Sequence, residues 1–135
     1  MADLFKFELV SPEELLLSQD VRQVLVPGTE GNFTVLPGHA PMLSTLRPGV
    51  LDVLDEQGRE ERIYVRGGVA EVNPNGLTVL AEDAVPLAEL SPEMLAQQVK
   101  NAEEDVADAG TDEKRRRAQE ALDHLRDLQV ALVTR

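Results

Sequence analysis

Few residues of this chain could do chemistry, and none is accompanied by the partners that chemistry requires. The two histidines are His39 and His124. His39 lies in Pro37-Gly38-His39-Ala40-Pro41, a turn held stiff by two prolines. Ser11 or Ser44 would have to serve as its nucleophile, yet no acid or nucleophile stands at a recognisable spacing from it. A structural or interface role is the favoured reading for His39. His124, between Asp123 and Leu125, reads as a solvated helix position, and two histidines so far apart make no metal motif. The absence of Cys excludes disulfides, thiolate-zinc sites and thiol catalysis. No glycine-rich stretch leads into Lys-Ser or Lys-Thr, and Gly28, Gly31 and Gly38 fall in turns instead of a dinucleotide fingerprint. No catalytic residue, metal ligand or cofactor site is therefore expected.

One cluster stands out by charge. Lys114-Arg115-Arg116-Arg117 is a block of four cations in a chain of 135 residues with a formal charge of −12. Two readings remain open. The cations pair along their own helix, Arg117 with Glu113 and Arg116 with Glu120 at i,i+4 spacing, or they form a patch that docks on an acidic partner. The acidic balance argues against binding nucleic acid or an anionic membrane by bulk electrostatics. Phe5, Phe7, Phe33 and Tyr64 are the only aromatic residues, too few for a base-stacking or sugar-binding platform. No apolar run reaches the length of a membrane span. The opening Met1-Ala2-Asp3-Leu4 lacks the features of a secretory signal, so the chain reads as cytosolic and complete.

The elements that position these residues fall into two halves. Every glycine except Gly110, and every proline except Pro92, lies within 1–86. Dense turn punctuation followed by its near absence marks a short-stranded β domain over 1–86 and a helical part over 87–135. Strand patterns cover 4–10, 15–17, 21–26, 33–36, 42–46, 50–54, 63–65, 69–72, 77–80 and a short segment around Val85. Asn73-Pro74-Asn75-Gly76 is the strongest hairpin signal. Nine or ten short strands at this spacing predict a two-sheet sandwich or barrel. Gly67-Gly68 interrupts a strand, as a bulge or as a point where another backbone, such as a partner's, comes close.

Ser91-Pro92-Glu93 then announces a helix, with a capping hydroxyl, a proline at the first helical position and an acid at the positive end of the dipole. Leu95, Val99, Ala102, Val106 and Ala109 follow at helical spacing. Gly110 is expected to end this helix in a left-handed conformation, and Thr111 to cap a second. Ala118, Ala121, Leu122, Leu125, Leu128 and Leu132 give the second helix its stripe. The two helices should run antiparallel. Their stripes are thin and rich in alanine, which suits a movable element.

The combination of stretches resembles a known family, the epsilon subunits of F-type ATP synthases. The similarity runs essentially end to end. It is carried by Gly28-Thr29-Glu30-Gly31, by Leu36-Pro37-Gly38-His39-Ala40-Pro41-Met42-Leu43 and by Leu46-Arg47-Pro48-Gly49. Val65-Arg66-Gly67-Gly68-Val69-Ala70-Glu71-Val72 and Val79-Leu80-Ala81-Glu82 complete it.

The resemblance implies a ten-stranded sandwich of two five-stranded sheets followed by two antiparallel helices. It implies a non-catalytic rotor subunit that joins the gamma subunit to the ring of c subunits in the central stalk, supporting proton-driven ATP synthesis. Its place would be peripheral, on the cytoplasmic face of the bacterial inner membrane and held there through the complex. In many members the hairpin leaves the sandwich, extends along gamma and hinders ATP hydrolysis, with basic residues of the second helix meeting the catalytic beta subunit. On this basis Ser11, His39, Met42 and Ser44 are expected at the gamma interface. The loop Glu30, Gly31 and Asn32 is expected at the c-ring, and Lys114, Arg115, Arg116 and Arg117 at the alpha/beta subunits. Members that bind ATP in this subunit carry an acid and an arginine at the start of the first helix. The matching positions here are Leu90, Ser91, Met94 and Leu95, so ATP sensing is not expected. The alternative class is a free-standing ligand-binding sandwich or small hydrolase, and the missing catalytic constellation counts against it.

Overall fold

The computed structural model describes residues 3–133, so Met1-Ala2 of the opening tetrapeptide falls outside the described residues. The chain forms two compact units, residues 1–86 and 87–135. The first contains seven strands: β1 (Phe5–Val10), β2 (Leu15–Gly28), β3 (Gly31–Val35), β4 (Met42–Thr45), β5 (Gly49–Asp55), β6 (Glu60–Asn73) and β7 (Gly76–Pro86). The second contains a short 3-10 turn (Leu87–Glu89) and two helices, α1 (Pro92–Asp108) and α2 (Asp112–Val133).

Seven continuous strands build a ten-stranded sandwich because three of them serve both layers. In β2, residues 15–21 pair with β1, whereas the later residues pair with β5 and β3. In β6, the first half pairs with β5 and the second half with β4. β7 contacts β1 only through residues 76–80, then continues beside the first half of β6. One layer therefore runs β4, late β6, early β7, β1, early β2. The other runs β3, late β2, β5, early β6, late β7. The segments read separately in the sequence as 15–17 and 21–26, as 63–65 and 69–72, and as 77–80 and the stretch near Val85 are the two halves of these long strands.

The crossing in β6 depends on Gly67-Gly68. Arg66 pairs with Asp83 and Gly68 with Ala81, so the register is the same on both sides and only the Gly67 position drops out of the ladder. Gly67 and Gly68 take φ values of 69° and 106°, in the region open to glycine and strained for other residues. A Cβ on Gly68 would lie 1.8 Å from the Leu80 carbonyl oxygen. Of the two readings of this pair, the close backbone approach is present, made by the chain's own β7, whereas the unchanged register with β7 shows no bulge.

Side chains pointing inward from both layers form an aliphatic core. Phe7, Leu9, Val21, Val24, Val26, Val35, Leu51, Val53, Ile63, Val65, Val72, Leu77 and Val79 are all buried in one cluster. Its composition follows from the alternation of short β-branched and leucine positions, which fill a space about 10 Å thick between packed sheets.

The hairpin unit is built on its own caps. The Ser91 hydroxyl accepts the Met94 amide at 3.3 Å and Pro92 opens α1. The Thr111 hydroxyl accepts the Lys114 amide at 3.1 Å before α2. Leu95 and Ala102 of α1, with Leu122, Leu128 and Ala131 of α2, are the buried helical positions. Val99 and Val106 are half-buried and Ala121 is exposed, so the buried stripe is narrower than the spacing alone suggests. The expected left-handed stop is not formed. α1 ends on Ala109 in an extended conformation, φ −63° and ψ 126°, and Gly110 is not among the glycines of positive φ.

Residues 1–86 alone are expected to melt cooperatively, because their core is made within that span. Gly68→Ala in this fragment should lower stability by more than about 3 kcal/mol through strain and backbone collision. Chemical denaturation followed by circular dichroism checks both, and a Gly68→Ala midpoint equal to the parent's would refute the role given to the crossing.

Candidate interaction surfaces

Three surfaces carry the residues singled out by the sequence. The first surrounds β4. After β3, Pro37 and Gly38 occupy the centre of a tight turn closed by the His39 amide donating to the Leu36 carbonyl at 3.1 Å. Gly38 has φ 80°, as the third position of a type II turn demands. His39 Nδ1 donates to the Ala40 carbonyl at 2.7 Å, which fixes the ring beside its own backbone and leaves Nε2 as the other functional nitrogen. Among the described residues, no side-chain acid or nucleophile is bonded to it. Phe5, Val35, Leu36, His39, Pro41 and Val72 line a concave pocket of about 330 Å³ at this end of the sandwich.

β4 pairs with β6 alone, so its outer edge is unpaired among the described strands. Met42 is paired with Val72 and Ser44 with Ala70, which puts both on the inward register of the layer. Leu43, on the outward register, is 69% exposed. Ser11 lies at the far margin of the same layer, in the β1–β2 turn. Its hydroxyl accepts the Glu14 amide at 3.2 Å, and its amide donates to the Glu14 carbonyl at 2.9 Å. The ladder connects the two margins: Thr45 faces Val69, Val69 faces Leu80, Leu80 faces Val10 and Val10 faces Leu15. Leu15 and Leu80 are exposed, so an apolar row crosses the outer face between Ser44 and Ser11. Sequence reading had missed this row, since period-two alternation does not say which of two faces is covered.

The second surface is the β2–β3 hairpin. Thr29 and Glu30 form a two-residue turn between the paired Gly28 and Gly31. Glu30, Gly31 and Asn32 are all exposed. The turn is tied down from one side: Thr29 and Thr45 hydroxyls are 2.7 Å apart, and the Thr29 amide donates to the Thr45 carbonyl at 3.0 Å. The Arg47 guanidinium donates to the Asn32 side-chain carbonyl and to the Gly28 carbonyl. A rigid polar tip results, which loses little freedom on docking.

The third surface is the start of α2, where Lys114, Arg115, Arg116 and Arg117 are all exposed. The four cations do different things. Arg117 bonds Glu113 at 2.8 Å, the i,i+4 pair the spacing suggests. Arg115 bonds Asp112 at 3.1 Å and reaches back to the Ala109 carbonyl at 3.3 Å. The suggested Arg116–Glu120 pair is not formed. Lys114 and Arg116 make no ion pair or side-chain hydrogen bond among the described residues, and their charge faces solvent.

Leu90, Ser91, Met94 and Leu95 are spent on folding. Ser91 is the helix cap, Leu95 is buried and Met94 is exposed. Leu87, Leu90, Pro92, Leu95, Leu132 and Val133 line a groove of about 420 Å³ that has no cationic wall for a triphosphate. Among the described residues, no group of three or more His, Asp or Glu is placed to hold a metal ion. No described helix is long and apolar enough to cross a membrane. On the sandwich, burial and the neighbouring Glu60 raise the Asp52 carboxyl above its ordinary range, against the opposing pull of Arg62.

Residues 4–87 match the family model of the ATP synthase delta/epsilon chain beta-sandwich domain. The chain is 53% identical over 128 residues to an ATP synthase epsilon chain of Parvibaculum lavamentivorans, covering 95% of this chain and 97% of the relative. It is 46% identical to an epsilon chain of Mesorhizobium japonicum, covering 98% of each. A chain in the OSCP/F1/c-ring structure of Euglena gracilis mitochondrial ATP synthase superposes with a TM-score of 0.80 at 29% identity, over 96% of this chain and 81% of that one. A central stalk/c-ring chain of Tetrahymena thermophila shares the fold, with a TM-score of 0.66 at 16% identity over 96% of each. With the sandwich model matched over more than half its length and such relatives covering nearly all of it, the chain belongs to the ATP synthase delta/epsilon family.

Proposed function

We propose that the protein is the non-catalytic epsilon subunit of a bacterial F-type ATP synthase, a part of the central stalk that couples the gamma subunit to the c-ring. The observation that carries this reading is end-to-end likeness to epsilon chains, through both the sandwich and the helical part. Its place is peripheral, on the cytoplasmic face of the inner membrane, held by the complex. The sandwich, 1–86, is the coupling domain and the hairpin, 87–135, the regulatory one.

Gamma docks along the margin marked by Ser11, His39, Met42 and Ser44. The stiffness of the Pro37–Pro41 turn supports this, because a preorganised turn orders little on binding. The apolar row through Leu15, Val10, Leu80 and Val69, with the exposed Leu43 nearby on β4, supplies the area that polar residues alone lack. The tip at Glu30, Gly31 and Asn32 meets the polar loops of the c-ring. Its exposure and its anchoring by Arg47 suit a contact that transmits torque.

The hairpin restrains ATP hydrolysis when it extends towards the catalytic alpha/beta subunits, where the basic start of α2 meets acidic groups. Lys114 and Arg116 are the cations whose charge is uncommitted, and they are the first available to such a partner.

His39→Glu is expected to weaken binding of purified gamma by about ten-fold or more, since it places a hydrated charge against a packed contact. Calorimetry of gamma with the parent and variant chains measures this, and equal affinities would remove His39 from the interface. Lys114→Glu with Arg116→Glu should raise ATP hydrolysis by the assembled complex without changing subunit composition. The difference should shrink as salt rises, because exposed charges are screened. Unchanged hydrolysis in an intact complex would leave these cations as a solvated helix face.

A further inference from the structure

We propose that Arg47 is a positioning residue that turns the Asn32 amide outward, so that the β2–β3 tip meets the c-ring as a hydrogen-bond donor and its counterpart there is an acceptor oxygen. The inference rests on the c-ring placement of the tip for the partner, and on the tip's own geometry for the orientation.

The chain fixes Arg47 before its side chain acts. The Arg47 amide donates to the Pro27 carbonyl at 3.0 Å. One residue earlier, the Leu46 amide donates to the Gly68 carbonyl at 3.0 Å, and the Leu46 side chain is buried. Leu46 also bridges to Gly28. The guanidinium is thus carried on backbone bonded to β2 on one side and to the crossing in β6 on the other.

From that base the guanidinium spans the turn. It donates to the Gly28 carbonyl at the end of β2, at 3.3 Å, and to Asn32 Oδ1 on β3. A guanidinium has donors and no acceptor, so only the oxygen of the amide can face it. The amide nitrogen, Nδ2, is left on the side away from Arg47. Asn32 is exposed, and among the described residues Nδ2 donates to nothing. Two N–H groups are therefore offered to the surface that meets the tip.

Charge strengthens the offer. Among the described residues Arg47 makes no ion pair, and its bonds go to neutral oxygens. A cation bonded to the amide oxygen polarises the amide and makes its N–H groups better donors. The matching group on a c-subunit loop is a carbonyl, an amide oxygen or a carboxylate. Glu30, exposed on the same turn, is left to take a donor. An aspartate in place of Asn32 would serve Arg47 equally well and offer the partner no donor, which separates the brace from the contact.

Nitrogen-15 relaxation of the Asn32 side-chain amide in the isolated full chain tests the brace. The parent should give an order parameter above about 0.6, and Arg47→Met one below it. Should Arg47→Met fold poorly by circular dichroism, Arg47→Gln, too short to span the turn, replaces it. Equal order in parent and variant overturns the positioning role. The donor is tested by titrating each chain into sealed vesicles of a bacterial synthase depleted of its own epsilon chain, with ATP-driven pumping as the readout. For Asn32→Asp, the concentration that half-restores pumping should rise about two- to ten-fold, the scale of one hydrogen bond. Glu30→Ala with Asn32→Ala should raise it whichever way the Asn32 amide faces. A parent-like titration by Asn32→Asp beside a loss in this double variant overturns the donor role alone. No loss in either removes the tip from the c-ring and the donor role with it, and amide order then decides the brace.

Discussion

The architecture of the sandwich turns on one close approach, the backbone of Gly68 against the Leu80 carbonyl. A side chain at this point would push β6 away from β7 where the two strands run in register past Gly67. With hydrogen in its place, β6 and β7 stay paired while both pass from one layer to the other. This continuity matters mechanically. Long strands that belong to both sheets tie the layers together covalently as well as through the aliphatic core, so load applied at one face is carried by backbone. A body of this kind suits a rotating stalk better than two sheets joined only by loops.

The surfaces follow from that frame. β4 ends the layer that contains late β6, and its position at an edge gives the His39 turn and Met42 their exposure. The β2–β3 tip is braced by Thr45, which ends β4, and by Arg47, two residues further on. The two proposed docking sites on the sandwich are therefore connected through one short segment, 42–47. The hairpin obeys different physics. Its buried positions are few, three leucines and two alanines, its ion pairs are exposed, and four of its cations are consecutive. In the proposed role it changes partners, whereas the sandwich keeps its shape.

Much of this was legible in the residues. Glycine and proline located the turns because those residues alone supply the required dihedrals without cost, and the switch from period two to helical spacing located the second unit. The three long strands were harder to see. Gly67-Gly68 looks like an end of a strand in sequence, and only the partner strand shows that pairing resumes after one step. Gly110 misled in the opposite direction, since a glycine after a helix suggests a left-handed stop and the chain here turns through an extended Ala109. The basic cluster was visible as a charge anomaly. Its division into Arg115, Arg117 and two free cations depended on rotamers, which spacing does not specify: Arg117 takes the i,i+4 partner offered to it, and Arg116 does not. The outward row through Leu15, Val10, Leu80 and Val69 was hidden because alternation gives two faces without labelling either.

The central claim is mechanical coupling through the stalk, and ATP-driven proton pumping tests it most directly. A bacterial ATP synthase depleted of its own epsilon chain and reconstituted in sealed vesicles hydrolyses ATP with a loosened link between the catalytic head and the c-ring. Addition of this chain is predicted to restore pumping per ATP hydrolysed, with residues 1–86 sufficient for the effect. A chain that binds the complex and leaves that ratio unchanged would contradict the coupling role.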